Sequence, residues 1–405
     1  MIRKVVIVHT DFRLYWPSRL RHLNRCFVRR GVDLFVIEIA GKGSPYSFSE
    51  GRTPEKELCW IQLFSNCDME DIAAGQAVDA VIGKLNELDP DAVIAGAIAF
   101  PAGAAATRWC LQKKKPIILF DDVRLADVPR PIYINWVKKQ VYSLIDAMVI
   151  PASSHDPTYR YFGFSKEMLF YGVNAVDNSF FSCDSTSPSR SLPQGFPESP
   201  FLLGVGRQIP KKNWKTLIAA FRNIADNSHA ASWSLVLIGD GPEHAELTAL
   251  AGDPLESRVF FVSFIQQKEL VHYYHQAAAL VLPSFFGETW GLVVNEAMAA
   301  GLPVLVSAKC GCSETLVQDG LNGYVFDPDS QEAIEEALLK FFSLDKARRD
   351  AMGAASLGIV ADWGLERFSH GMCEALDFVQ AKSKRRGTLA GRFIIRFWNG
   401  RYCPT

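Results

Sequence analysis

The chain has 405 residues, 48% of them hydrophobic and 21% charged, with a formal net charge of −1. That is apolar material enough for two globular domains, and the charge balance excludes a bulk nucleic-acid binder, which needs a strong basic excess. The sequence holds no run of about 18 apolar residues, the length that crosses a membrane, and the apolar run at 5–8 is too short for a signal peptide, so a cytoplasmic protein with free thiols is expected.

Short apolar runs alternate with helical patterns from the start. Residues 2–9 predict a buried strand, 18–30 a helix with Leu20, Leu23, Cys26 and Phe27 on one face, and 33–39 a second strand. Strands at 60–64, 91–95, 117–120 and 147–150 follow, separated by helices at 69–88, 102–112 and 132–144. This alternation predicts an α/β fold with a doubly wound parallel sheet. Residues 181–200 are rich in Ser and Pro and predict a linker. A second series then begins, with strands at 201–206, 234–238, 259–264, 279–282 and 304–307. Its helices are expected at 214–225, 242–251, 268–276 and 291–300, with further helices at 331–342, 346–359 and 366–381. The expected domains are therefore 1–180 and 201–375, followed by a basic segment, 376–405.

Residues 280–328 carry the chemistry. Glu288 lies in a loop after a strand, at the sheet edge where open α/β folds bind ligands. Glu296 lies about one turn into the next helix. The backbone N–H groups near that helix start, at Gly291, Leu292 and Val293, suit a phosphate, whereas carboxylates suit sugar or ribose hydroxyls. Arg207 and Lys212 frame the loop after the strand at 201–206, and two cations there can neutralise a diphosphate. That loop fits neither GxGxxG nor a P-loop. Gly239 and Gly241 form a tight strand-to-helix turn that glycine explains without a ligand.

The run Glu288-Thr-Trp-Gly-Leu-Val-Val-Asn-Glu296, followed by Ala297-Met-Ala-Ala-Gly-Leu-Pro303, resembles the retaining nucleotide-sugar glycosyltransferases of family 4 (group 1). The resemblance is strong over 201–342 and weak before it. It implies a GT-B fold, two Rossmann-like domains facing across a cleft. It also implies a nucleotide-sugar donor as substrate, no separate cofactor, and transfer to a hydroxyl of a glycan, lipid-linked or small-molecule acceptor, as in polysaccharide synthesis. Arg207 and Lys212 would hold the donor phosphates, Gly239 and Gly241 would lie near the nucleotide, Glu288 would serve the donor sugar and Glu296 the ribose. Retention would proceed by front-face attack, with the donor phosphate assisting deprotonation. The same fold also serves epimerases and phosphorylases, and fold does not fix reaction. A catalytically silent donor-binding subunit and a membrane-docked scaffold are further alternatives.

The N-terminal half departs from the family pattern. Where many members have a glycine-rich loop, this chain has His9-Thr-Asp11, and where many have a histidine it has Asp121-Asp122-Val-Arg124. Asp11, Asp122 and Arg124 are candidates by position, with Asp122 nearest the expected catalytic place. His155 could contact a phosphate or an acceptor, but reads more readily as an exposed histidine at a helix start. Asp89-Pro-Asp91 and Asp327-Pro-Asp329 have the spacing of a metal-binding Asp-x-Asp but read as turns, so no metal is expected. In the basic segment, seven cations from Lys382 to Arg401 surround Phe393-Ile-Ile395 and Phe397-Trp398. It reads either as lying on an anionic membrane, making the protein peripheral to it, or as packing its aromatics back on the N-terminal domain.

Overall fold

Strands with apolar residues on both faces cannot sit on a half-wetted sheet, and the structure buries them in two parallel sheets. The computed structural model describes residues 1–43, 57–127, 130–182, 200–382, 385 and 387–402. The chain divides into one unit of residues 1–125, 129–175 and 365–405 and another of 126–128 and 176–364.

The first unit runs β1 (Lys4–His9), α1 (Trp16–Arg29), β2 (Asp33–Glu38), β3 (Cys59–Gln62), α2 (Ala74–Leu88), β4 (Ala92–Ala95), α3 (Pro101–Lys113), β5 (Ile117–Phe120), α4 (Ile132–Tyr142), β6 (Ala147–Ile150), α5 (Asp156–Tyr161) and β7 (Leu169–Tyr171). Its seven strands lie in the order β3-β2-β1-β4-β5-β6-β7, all pairs parallel. Successive β1 side chains feed opposite cores, as a period of two requires. Val6 and Val8 pack with Val81 and Trp109, and Val5 and Ile7 with Leu20 and Phe27.

The second unit runs α6 (Asn178–Phe181), β8 (Phe201–Val205), α7 (Trp214–Asn223), β9 (Ser234–Ile238), α8 (His244–Ala251), α9 (Pro254–Ser257), β10 (Val259–Val262), α10 (Gln267–Gln276), β11 (Ala279–Leu282), α11 (Leu292–Ala299), β12 (Val304–Ser307), α12 (Ser313–Leu316), β13 (Gly323–Phe326), α13 (Gln331–Phe342) and α14 (Lys346–Val360). Its six strands are ordered β10-β9-β8-β11-β12-β13, again all parallel. In each sheet the order reverses once, between β1 and β4 and between β8 and β11. Loops leaving the C-terminal strand ends separate at such a point and leave a crevice.

α15 (Leu365–Ala381) and α16 (Leu389–Phe397) belong to the first unit. The expected C-terminal domain, 201–375, therefore differs from the observed unit at its end. Phe368, Met372 and Leu376 of α15 complete the core built on Val5 and Ile7. Gly371 makes this close seat available, since a Cβ there would stand 2.1 Å from the Tyr171 carbonyl oxygen. Most of the expected linker, residues 183–199, lies outside the described residues. The basic segment packs back on the first unit. Ile395 of α16 joins its core, and Trp398 Nε1 donates to the Ile98 carbonyl at 2.8 Å. Among the described residues no helix is long and apolar enough to cross a membrane.

Candidate functional site

β8 and β11 are hydrogen-bonded neighbours across the reversal of the second sheet, so the loops after them share one edge. The β8 loop turns at Gly206, whose φ of +153° favours glycine, and a Cβ there would stand 3.0 Å from the Lys212 stem. Lys212 thereby lies along the loop and donates from Nζ to Glu288 Oε2 at 2.6 Å. Ser284 Oγ donates to the same oxygen at 2.9 Å. The two loops are tied again by Phe285 N, which donates to the Lys211 carbonyl at 2.7 Å. The Lys212 and Glu288 side chains are only 11% and 13% exposed. Burial alone would raise the Glu288 pKa, but the charges of Lys212 and Lys211 and the hydrogen bonds from Lys212 and Ser284 hold it below the ordinary value. Glu288 is thus a fixed anion. The Lys212 ammonium carries three donors and gives one to Glu288, leaving two to point elsewhere.

Arg207 is different. It is exposed on the same loop, and its guanidinium has no ion-pair partner among the described residues. Its backbone is nonetheless fixed, because Trp214 Nε1 donates to the Arg207 carbonyl at 3.0 Å. The result is an exposed planar fork on a rigid loop.

Gly239 and Gly241 explain that rigidity. A Cβ at Gly239 would stand 2.3 Å from the Gly206 carbonyl oxygen, and one at Gly241 2.2 Å from that of Gln208. The turn after β9 must therefore press backbone against backbone under the Arg207 loop. Gln208 N donates to the Asp240 carbonyl at 2.8 Å, and Gln208 Oε1 lies 2.8 Å from His244 Nδ1.

α11 begins after Gly291, which takes φ +103° at its N-cap with no side-chain cap. The N–H groups of a first helical turn lack intrahelical acceptors, and the helix dipole adds positive potential. Glu296, one turn further, points inward and is 1% exposed. Its Oε2 accepts from Tyr274 OH at 2.6 Å and its Oε1 from Gln267 Nε2 at 3.4 Å. Both donors sit on α10. Glu296 is therefore an oriented buried carboxylate rather than a solvated helix residue.

The structure brings together Arg207, Lys212, Gly239, Gly241, Glu288, Gly291, Leu292, Val293 and Glu296 within the second unit. Asp122 belongs to the first unit, after β5, where its Oδ2 accepts from Asn174 Nδ2 at 3.1 Å. Asp11 is buried against Arg13 at 2.6 Å, and Arg124 is half-buried. His155 corrects the sequence expectation: it is fully buried, with Nδ1 3.2 Å from Ser154 Oγ, because a tight turn between β6 and α5 folds it inward. In the two Asp-x-Asp pairs one member of each serves backbone, while Asp329 also pairs with Lys309 at 2.6 Å. Asp91 Oδ2 accepts from Arg3 N and Lys4 N at 2.8 and 3.0 Å, and Asp327 Oδ1 accepts from Asp329 N at 3.0 Å.

The glycosyl transferases group 1 family model matches residues 192–356. The matched stretch is less than half of the chain, and it contains every second-unit site residue described above. A sulfoquinovosyl transferase of Arabidopsis thaliana is 27% identical over 308 residues, which cover 68% of this chain and 54% of that protein. A GDP-mannose-dependent phosphatidylinositol monomannoside mannosyltransferase of Mycobacterium tuberculosis is 31% identical over 174 residues, covering 41% of this chain and 44% of that one. The chain thus spans about half the length of these curated relatives. Beyond the matched stretch, the likeness is one of fold. A sucrose-phosphate synthase of Thermosynechococcus elongatus superposes with a TM-score of 0.72 at 19% identity over 94% of this chain and 99% of that one. HepE of Anabaena, solved with UDP-glucose, superposes with a TM-score of 0.70 at 17% identity over 92% and 99%. The architecture is that of GT-B glycosyltransferases, two Rossmann-like α/β units.

Proposed function

We propose that the chain is a retaining, metal-independent glycosyltransferase of family 4, moving a sugar from a nucleoside-diphosphate sugar to an acceptor hydroxyl in glycan or polysaccharide synthesis. One observation carries this reading: a buried Lys212–Glu288 pair and an exposed Arg207 flank the strand-order reversal of the second sheet, beside the open N-terminus of α11. Two cations and a helix N-terminus suit a diphosphate. A carboxylate locked in its ionised form suits sugar hydroxyls.

In the reaction the bond between the anomeric carbon and the phosphate oxygen breaks, and its electron pair leaves with the diphosphate. Arg207, the two spare Lys212 donors and the first-turn amides of α11 stabilise that charge as it develops, so their effect is greatest in the transition state. Glu288 accepts from the sugar hydroxyls and keeps the anomeric carbon facing the acceptor. Glu296, aimed by Tyr274 and Gln267, accepts from the ribose hydroxyls. The acceptor oxygen bonds to the anomeric carbon on the face the phosphate leaves, and its proton passes to the departing phosphate oxygen. Asp122 in the first unit is the candidate on the acceptor side.

The test is a thermal-shift screen of nucleoside-diphosphate sugars, followed by transfer assays with and without chelator and assignment of the product's anomeric configuration. The expected result is a stabilising donor, transfer that survives chelator, and a retained anomer. An inverted product, or loss of transfer with EDTA that Mg²⁺ restores, would contradict the proposal. A donor that binds but is neither transferred nor hydrolysed would identify a silent binding subunit.

A further inference from the structure

The sequence places an unusual charge distribution on two segments. Residues 382–405 hold seven cations, residues 130–143 three more, and neither has an acidic side chain, in a chain of net charge −1. The fold sets these segments against each other. Thr388 N donates to Ser143 Oγ at 2.9 Å, and a Cβ at Gly391 would stand 2.1 Å from the Gln140 carbonyl oxygen. α16 therefore lies on α4 in near backbone contact, with the glycine permitting it.

Helical periodicity then sorts the side chains. On α16, Gly391 and Ile395 turn into the unit and are buried. The opposite stripe, Leu389, Phe393 and Phe397, is 85%, 67% and 65% exposed, at the i, i+4, i+8 spacing of one helix face. α4 repeats the pattern: Ile132 is 85% exposed, Tyr133 69% and Trp136 53%. Lys139 is exposed one turn beyond Trp136, whereas Lys138 lies inward over the Tyr142 and Phe162 rings, each 5.4 Å away. Arg392 and Arg396 are exposed and interleave with Phe393 and Phe397. Six large apolar side chains thus stand outward on two adjoining helices of one unit. Burying them would release substantial apolar area, and monomers rarely leave such a patch exposed without a use for it.

We infer that the paired outer faces of α4 and α16 form a docking surface for an anionic lipid bilayer. The chemistry commits to that occupant. Trp and Tyr rings with an apolar body and a polar tip favour the headgroup level of a bilayer. Phe and Leu stripes enter the acyl boundary of an interfacial helix. Arg and Lys on the same faces reach phosphate headgroups, and no carboxylate on either segment opposes them. The surface is built as much by α4, in the first unit's own sheet crossover, as by the basic segment after α15. It lies wholly within the first unit and does not depend on the donor site.

The test is co-sedimentation of the full chain with vesicles of phosphatidylcholine mixed with phosphatidylglycerol, and with pure phosphatidylcholine, at about 0.1 M and about 1 M salt. The expected result is binding to the anionic vesicles alone, weakened at high salt. Arg392→Glu with Arg396→Glu should reduce partitioning at least twentyfold, since each cation near the surface contributes roughly fivefold. Trp136→Ser with Phe393→Ser and Phe397→Ser should abolish binding. Both variants change exposed side chains, so their melting temperatures and nucleoside-diphosphate binding should match the wild type. The inference is overturned if the wild type stays in the supernatant, if it binds both vesicle types equally, or if both variants bind as the wild type does. Light scattering that shows a dimer dissolved by the serine variant, with no vesicle binding, would reassign the face to a second copy of the chain.

Discussion

The two sheets reverse strand order in the same way but fill the reversal differently. In the first unit, β1 ends at His9 and β4 is followed by Gly96, and a Cβ at Gly96 would stand 2.4 Å from His9 Nδ1. His9 is half-buried, with the Phe12, Trp16 and Phe120 rings centred 5.5, 5.4 and 5.2 Å away. Nearby polar groups are turned on one another: Glu38 accepts from Phe12 N, Trp60 Nε1 and Gln62 Nε2, and Asp121 accepts from Tyr142 OH. In the second unit the same place holds Lys212, Glu288 and an exposed Arg207. One reversal is plugged by aromatic packing, with His9 Nδ1 and Thr10 Oγ1 left without partners among the described residues. The other keeps charge in place, with donors to spare. The strand order offers a site in both units, and side-chain chemistry decides which one remains open for an anion.

This contrast can be broken at several points. Lys212→Ala would leave the mostly buried Glu288 without its counterion, and losing one partner of such a pair costs about 3–5 kcal/mol. The melting temperature should fall sharply, and Glu288→Gln in the Lys212→Ala background should restore much of it. The plugged site should show itself through pH. Burial and, to a lesser degree, Arg19 lower the His9 pKa to about 4. The folded chain therefore refuses a proton that the unfolded chain accepts below about pH 6.5, and stability falls as pH drops from there to about 4. The shift corresponds to about 3 kcal/mol. A His9→Asn variant should lose this part of the pH dependence, and an unchanged difference between wild type and variant across that window would contradict the neutral imidazole. Arg207→Ala should leave stability unaltered, because the side chain is exposed, yet reduce kcat by about a hundredfold, since a charge lost from the leaving-group site costs about 3 kcal/mol in the transition state. Tyr274→Phe should weaken nucleoside-diphosphate binding roughly tenfold by removing the hydrogen bond that aims the Glu296 carboxylate. Equal loss of stability and no change in binding would show that Tyr274 only packs.

Much of the fold could be read from the sequence, because interior parallel strands are continuous apolar runs. The three-residue β7 and the four-residue β13 could not. Both are edge strands, partly exposed, with too few residues to show a period. The place of α15 was also hidden, since its amphipathic pattern says that it packs but not against which sheet. Within the site, the spacing from Glu288 to Glu296 was visible because a single crossover supplies both. Their supporting donors were less so. Ser284 sits four residues before Glu288, in the Pro-Ser that opens the loop, but Tyr274 is 22 residues before Glu296 on a separate helix. That contact arises only when α10 folds onto α11. His155 was misread for the same reason, as burial is set by tertiary packing rather than by its own neighbours.

The central claim is the division of labour between Glu288 and Glu296. Calorimetry with uridine and guanosine diphosphates, whichever binds the wild type, tests it beside a transfer assay. Glu296→Gln should weaken the bare diphosphate by about 1.5–3 kcal/mol, because that ligand still carries the ribose. Glu288→Gln should leave its affinity near the wild-type value while transfer is lost, because that ligand has no sugar for Glu288 to hold. Abolished diphosphate binding in Glu288→Gln together with intact binding in Glu296→Gln would reverse the assignment, and no change in either variant would contradict the account of the site.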